Sequence, residues 1–356
     1  MSIKLFSEVV QRGHEQLTVF NDPKSGLRAI VSIHSSVLGP ALGGVRVHPY
    51  QDESSAFNDV LRLSEAMSYK SAIAGMSLGG GKACIIADPK ISVGRKELFE
   101  SFGNSLNILG GRYITAEDMG TSAEDMQTIR NISKHVVGFS KEHGGSGDPS
   151  PWTAKGVLQG IIAACENRYG TSDLNGKTVS IQGVGNVGFH LAKLLDQIGC
   201  KLIISDTSAD RINNALSILK NAKAVKAEAI YDCSCNIFAA CAIGQTINSR
   251  TIPLLKTDII CGAANNQLSG PDVYEIISER GILYCPDFVV NAGGVISVGA
   301  ELNQGGWDHD WVSQKVDQIK ATTTEILERS ASKGMFPEVV ALEWAKEIIQ
   351  SKELSR

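Results

Sequence analysis

The run Gly183-Val184-Gly185-Asn186-Val187-Gly188 limits what this chain can fold into more than any other stretch. It follows the alternating, β-branched segment Thr178 to Gln182 and precedes an apolar pattern of helical spacing that reaches Ile198. In that setting each glycine has a mechanical reason. The first permits a tight turn, the second lets a pyrophosphate approach the backbone, and the third lets helix pack on strand. Backbone N–H groups at the helix start would face the phosphates. The next strand-like run, Lys201 to Ser205, ends in Asp206, close to the ~20-residue spacing at which a carboxylate grips a ribose 2′-hydroxyl. A carboxylate there repels a 2′-phosphate, and Thr207-Ser208 supplies no arginine to reverse this, so the expected cofactor is NAD rather than NADP. The bland alternative is a glycine run that serves only a tight turn.

Around this loop the sequence alternates helix and strand. A helical run from Thr153 to Tyr169 comes first, and β-rich runs follow at Ile237 to Ala240, Asp258 to Cys261 and Phe288 to Val290. Such alternation predicts a parallel sheet covered by helices on both faces. A length of 356 residues is enough for two domains. In the first part, Leu27 to Ile33 reads as a strand. Phe57, Val60, Leu61, Leu63 and Met67 mark a helix that opens near Ser54 and delivers Lys70 at its carboxyl end, and Ala83 to Ala87 reads as a strand after the triple glycine Gly79 to Gly81. The breaker-rich segment His143 to Pro151 has the composition of a hinge. The expected fold is therefore α/β, two domains with a cleft between them, the second a Rossmann-type doubly wound parallel sheet. The boundaries read as 1–143, rejoined by a carboxyl-terminal helix over 333–356, and 144–332.

Several classes of function are excluded by charge and composition. The formal net charge is −4, with 34 basic and 38 acidic residues and no basic block, so neither nucleic acid nor an anionic membrane is an expected partner. No apolar run approaches the ~20 residues that cross a bilayer. The amino terminus lacks the pattern of a secretory signal, which gives a cytoplasmic expectation. Eight cysteines are scattered, and the close pair Cys233 and Cys235 lacks the spacing and histidines of a zinc site, so free thiols and no metal are expected.

Two lysines and one acid are candidates for chemistry. Lys82 follows three glycines directly, Lys70 ends Met67-Ser68-Tyr69-Lys70, and Asp118 lies in Thr115-Ala116-Glu117-Asp118-Met119-Gly120. A lysine held in a cleft beside a second ammonium can serve as a general base near neutral pH. Taken alone, the lysines read rather as solvated surface side chains and Asp118 as a helix cap.

Their arrangement gains meaning from a resemblance. Leu38 to Gly44, Met67 to Lys70, Leu78 to Lys82, Gly110 to Gly120, the glycine loop, Gly262 to Leu268 and Pro286 to Val295 occur in an order that resembles the amino-acid dehydrogenases acting on glutamate, leucine, valine and phenylalanine. The likeness runs from about residue 10 to residue 300 and is strongest to the leucine and valine members. It implies a homo-oligomer that carries out reversible oxidative deamination: a branched-chain L-amino acid, NAD⁺ and water give the 2-oxo acid, ammonia and NADH. By that resemblance Lys70 binds the substrate carboxylate, Lys82 activates water against an iminium, and Asp118 exchanges protons with the amino group. Asn265 hydrogen-bonds near the nicotinamide ribose and the substrate, and Thr153 holds the carboxamide.

The same resemblance assigns the side-chain pocket to Leu42, Met67, Ala116, Val295 and Val298, with Gly43 and Gly44 at the substrate; taken alone, the five side chains read as ordinary core packing. None of the five can pair a carboxylate, so glutamate would bury an uncompensated charge. The alternatives are the same chemistry on phenylalanine or tryptophan, and a catalytically silent nucleotide-binding homologue. Trp152, Leu302 to His309 and the carboxyl end from Glu338 depart from the leucine members.

Overall fold

Five strands open the chain: β1 (Gln16–Asp22), β2 (Leu27–Ser35), β3 (Ala41–His48), β4 (Gly79–Ile86) and β5 (Tyr113–Glu117). In the computed structural model, which describes residues 5–355, they form one mixed sheet in the order β1-β2-β4-β3-β5. β2 is antiparallel to β1 and β4, whereas β3 runs parallel to both β4 and β5. Alternation along β2 feeds both faces. Leu27, Ala29, Val31 and Ile33 pack with Leu98, Phe99, Phe102 and Leu106 of the helix Arg95–Ile108. Ile30 packs on the other face with Cys84 and with Ala56 and Val60 of the helix Glu53–Ile73. That helix starts where the Asp52 carboxylate accepts the Ser55 N–H at 2.7 Å, and it carries Lys70 in its last turn.

The triple glycine lies inside β4 rather than ahead of a strand beginning at Ala83. Close packing explains this. A Cβ on Gly80 would stand 2.0 Å from the Ser68 backbone nitrogen, and one on Gly81 would stand 2.6 Å from the Tyr113 ring. Only a strand without side chains there admits the helix on one face and Tyr113 on the other.

The second sheet holds β6 (Thr178–Gln182), β7 (Lys201–Ser205), β8 (Ala222–Ala224), β9 (Ile237–Ala240), β10 (Ile259–Ile260) and β11 (Leu283–Tyr284). It is six-stranded and parallel throughout, in the order β11-β10-β9-β6-β7-β8. Val179, Ile181 and Ile204 pack with Val157, Ile161, Leu191 and Leu327 on one face, while Ile203, Phe238 and Ile260 pack with Ile252 and Ile277 on the other. This is the doubly wound arrangement expected from the alternation. The run Phe288 to Val290, read as strand, belongs instead to the single helical turn Asp287–Val290. Pro286 sets the entry dihedral, all four residues are buried, and tertiary packing overrides their β propensity.

The chain divides into two compact units that differ from the boundaries read in the sequence. One comprises the described chain up to Asp148, Ser297–Asp308 and the chain from Ala345; the other comprises Pro149–Ile296 and His309–Trp344. Residues beyond 143 stay with the first unit because the Glu301 carboxylate accepts the N–H groups of Gly138 at 3.0 Å and Ser146 at 2.6 Å. Gly299 packs on Met76 and Leu78 of the same unit. The last helix, Pro337–Leu354, is shared. Trp344 lies under Arg329 of the second unit at 4.3 Å, whereas Lys346 lies over Tyr69 of the first at 5.5 Å. Among the described residues, no helix is long and apolar enough to cross a membrane.

Candidate active site

In the first unit, strand parity gathers the charged groups. Lys82 shares its face of β4 with Gly80 and Cys84, the face covered by the helix Glu53–Ile73. Arg46 lies between Val45 and Val47, whose side chains enter the opposite core, so its own side chain is directed to the Lys82 face. β5 pairs with β3 through Gly44 and Ala116, and the chain leaves β5 at Asp118 beside them. A Cβ on Gly44 would stand 2.7 Å from Asp118 Cβ, so the glycine makes room for the acid.

The result is an ion-pair cluster in which Lys82 is buried and Asp118, Arg46 and Asp59 are half-buried. Lys82 Nζ lies 2.7 Å from Asp118 Oδ2, and Arg46 Nε donates to the same oxygen at 3.0 Å. Arg46 Nη1 also donates to Asp59 Oδ2 at 2.8 Å, and that carboxylate accepts the Tyr50 hydroxyl at 2.7 Å and Arg62 at 3.0 Å. The Asp118 N–H is received by Thr121 Oγ1 at 2.8 Å. Burial pushes the Asp118 carboxyl up, but the Lys82 and Arg46 charges outweigh it and hold the group below the usual aspartate value. A carboxylate thus stands directly against Lys82.

Apolar residues gather close by. A Cβ on Gly138 would meet Val298 at 3.7 Å and Ala116 at 3.9 Å, and one on Gly299 would meet Leu42 at 3.8 Å. Leu42 and Ala116 are buried, and Met67, Lys70 and Val298 are half-buried. Gly43 is packed so tightly that a Cβ would overlap the Gly81 carbonyl.

The second unit carries the glycine loop between β6 and the helix Asn186–Ile198, which includes Asn186, Val187 and Gly188 in its first turn. Gly183 has φ +91°, which only glycine adopts freely, and a Cβ on Gly188 would stand 2.0 Å from the Gly183 carbonyl oxygen. Gly185 is open: a Cβ there would meet nothing nearer than Arg211 Nη1 at 3.9 Å. An open second glycine at a helix N-terminus fits a pyrophosphate. Asp206 ends β7, where Oδ2 accepts the Val184 N–H at 3.0 Å and Oδ1 accepts the Ser208 N–H at 2.9 Å. In the same unit, Asn291 Nδ2 donates to Asn265 Oδ1 at 3.0 Å, and Thr153 Oγ1 lies where a Cβ on Gly294 would approach to 2.6 Å. Val295 is half-buried.

Residues 14–135 match the Glu/Leu/Phe/Val dehydrogenase dimerisation domain, and residues 144–215 and 207–341 match the glutamate/leucine/phenylalanine/valine dehydrogenase domain. The chain belongs to this dehydrogenase family. It is 43% identical over 356 residues to a leucine dehydrogenase of Bacillus cereus, covering 100% of this chain and 96% of the relative. It is 43% identical over 336 residues to the valine dehydrogenase of Streptomyces coelicolor, covering 93% of this chain and 91% of the relative. Among solved structures, the L-tryptophan dehydrogenase from Nostoc punctiforme superposes with a TM-score of 0.85 at 37% identity, over 98% of this chain and 99% of that one.

For this amino-acid dehydrogenase, sequence reasoning missed Arg46, Asp59 and Tyr50 around Asp118, Asn291 beside Asn265, and Arg211 near Asp206. One signal for Arg46 was available: it lies two residues past Gly44 on a strand, so the two share a face. Arg211 Nη1, at 3.7 Å from Asp206 Oδ1, supplies from the following helix the arginine that Thr207-Ser208 lacks.

Proposed function

We propose that this chain catalyses the reversible oxidative deamination of a branched-chain L-amino acid with NAD⁺. The observation that carries the reading is the contact of buried Lys82 with half-buried Asp118 beside an apolar group formed by Leu42, Ala116 and Val298. In this reading Lys70 holds the substrate carboxylate, Gly43 and Gly44 let the substrate lie close to β3, and Met67 belongs to the side-chain pocket of the same unit. The glycine loop, Asp206, Thr153 and Asn265 would hold the dinucleotide, whose contribution when bound would be a hydride acceptor.

Asp118 accepts a proton from the substrate amino group. Lys82, having lost its own proton to solvent, takes one from the water that attacks the iminium carbon, while the proton from the amino group stays on Asp118, 2.7 Å away. The proton then returns to the departing ammonia. An apolar pocket leaves a glutamate carboxylate unpaired, so glutamate is excluded. The enzyme works as a cytoplasmic homo-oligomer, a reading supported by the match of residues 14–135 to a dimerisation domain.

An amino-acid panel assayed with NAD⁺ and NADP⁺ at 340 nm tests this. Leucine, valine and isoleucine should differ by no more than about 10–200-fold in kcat/KM, the worth of one methylene, while glutamate gives no measurable rate. A preference for glutamate or for NADP⁺ would overturn the reading. The likeness to a tryptophan dehydrogenase at 37% identity favours an aromatic substrate as the second reading, and the same panel decides it.

A further inference from the structure

We propose that Arg46 is a positioning residue of the reaction, a fixed guanidinium that clamps Asp118 Oδ2 together with Lys82. The inference rests on the assignment of Asp118 as the group that exchanges protons with the amine. Its basis is geometric. Both cations reach the same oxygen, Lys82 at 2.7 Å and Arg46 at 3.0 Å, and the Met119 N–H also donates to the carboxylate, so the group is pinned. Arg46 is itself immobilised, since Nη1 is held by Asp59 at 2.8 Å and Asp59 by the Tyr50 hydroxyl at 2.7 Å. These contacts tie β3, the helix Glu53–Ile73 and the loop after β5 into one unit. A guanidinium serves better than an ammonium here because its fixed fork addresses two carboxylates at once.

The clamp also gives Arg46 an electrical role. The titratable and charged groups around Asp118 are Lys82 on β4, Arg46 on β3, and Tyr113 and Glu117 on β5, with Asp59, Tyr50 and Cys84 around Arg46 itself. Burial alone would favour the neutral acid, and Arg46 is one of the two positive charges that reverse this. Arg46 carries its charge throughout the working range, whereas Lys82 must lose its own to act as a base. During that step Arg46 is the remaining cation of the pair that keeps the carboxylate oriented.

The test compares Arg46→Met, Arg46→Gln and Arg46→Lys with wild type in the pH profile of kcat/KM for leucine oxidation. Removing a positive charge makes protonation of Asp118 easier, so the acid limb should move up by about one pH unit or more in the Met and Gln variants. The Lys variant should lie near wild type. Because Arg46 is assigned no substrate contact, kcat should fall more than KM rises, and NADH binding, read by fluorescence, should stay within about twofold in all three. An unmoved acid limb in folded Met or Gln variants, or unfolding of all three variants, would overturn the proposal and assign Arg46 to the fold alone. Asp118→Asn separates the two layers of inference. If that variant turns over normally, the reading of Asp118 has failed; if it is inactive while the limb of Arg46→Gln is unmoved, only the clamp has failed.

Discussion

Gly44→Ala should separate chemistry from cofactor binding with a single methyl group. A Cβ there would stand 2.7 Å from Asp118 Cβ and 2.7 Å from the Glu117 carbonyl oxygen, well inside the ~3.5–4.0 Å optimum for nonbonded contact. β3 and β5 are joined by parallel pairing at Gly44 and Ala116, so the ladder resists opening and the relief falls on Asp118, just past the strand end. A displacement of about 1 Å there breaks the Lys82 and Arg46 contacts and costs on the order of 100-fold in kcat. Overpacking costs about 1–3 kcal/mol of stability. Stopped-flow turnover of leucine with NAD⁺, NADH fluorescence titration and a thermal melt measure the three quantities separately. The expected pattern is kcat reduced about 100-fold, NADH affinity within about twofold of wild type, and a melt lowered by a few degrees. A folded variant with wild-type kcat would show that the placement of Asp118 does not limit the reaction.

Lys82→Ala should abolish turnover while NADH still binds, because the lysine and the glycine loop belong to different units; more than about a tenth of wild-type kcat would end its assignment as the base. Asp206→Ser should weaken NAD⁺ and narrow its advantage over NADP⁺, with Arg211 available to the 2′-phosphate, and dissociation constants for the two reduced cofactors measure it. Glu301→Gln should flatten the pH dependence of stability. Burial pushes the Glu301 carboxyl above the ordinary glutamate value, although the N–H donors of Ser146 and Gly138 pull it part of the way back. A raised folded-state value means stability that is fully present below the unfolded value of about 4.3 and is lost as pH rises through the folded one. Wild-type melting temperature should fall over that window relative to the Gln variant, and parallel curves from pH 4 upward would contradict the assignment.

What could be read in the sequence was local in the chain. The glycine loop, its strand, its helix and Asp206 are contiguous enough for spacing alone to expose them, and the alternation that followed gave the parallel sheet. Features made by distant segments stayed hidden. Nothing in the linear order says that β4 inserts between β2 and β3, yet that insertion puts Lys82 against Asp118 and Arg46. Gly79 to Gly81 looked like punctuation because glycine is rare in strands; its cause, the approach of Ser68 and the Tyr113 ring, comes from other elements. Phe288 to Val290 misled for the converse reason, since β-branched residues accept a buried helical turn when Pro286 begins it. Residues 297–308 were assigned to the second domain because the Glu301 contacts that hold them to the first span more than 150 residues, 155 and 163 in the two bonds.

Asp206 has a consequence for how such an enzyme can change. The carboxylate proposed to discriminate between cofactors is also a strut, with one oxygen on the Val184 N–H inside the glycine loop and the other on the Ser208 N–H at the start of the next helix. Any substitution that relaxes discrimination also removes two supports of the loop that both cofactors need. A lineage drifting from one dinucleotide to the other would therefore pass through intermediates that bind both poorly. The passable route begins with a change that braces the loop by other means, and only then replaces the acid.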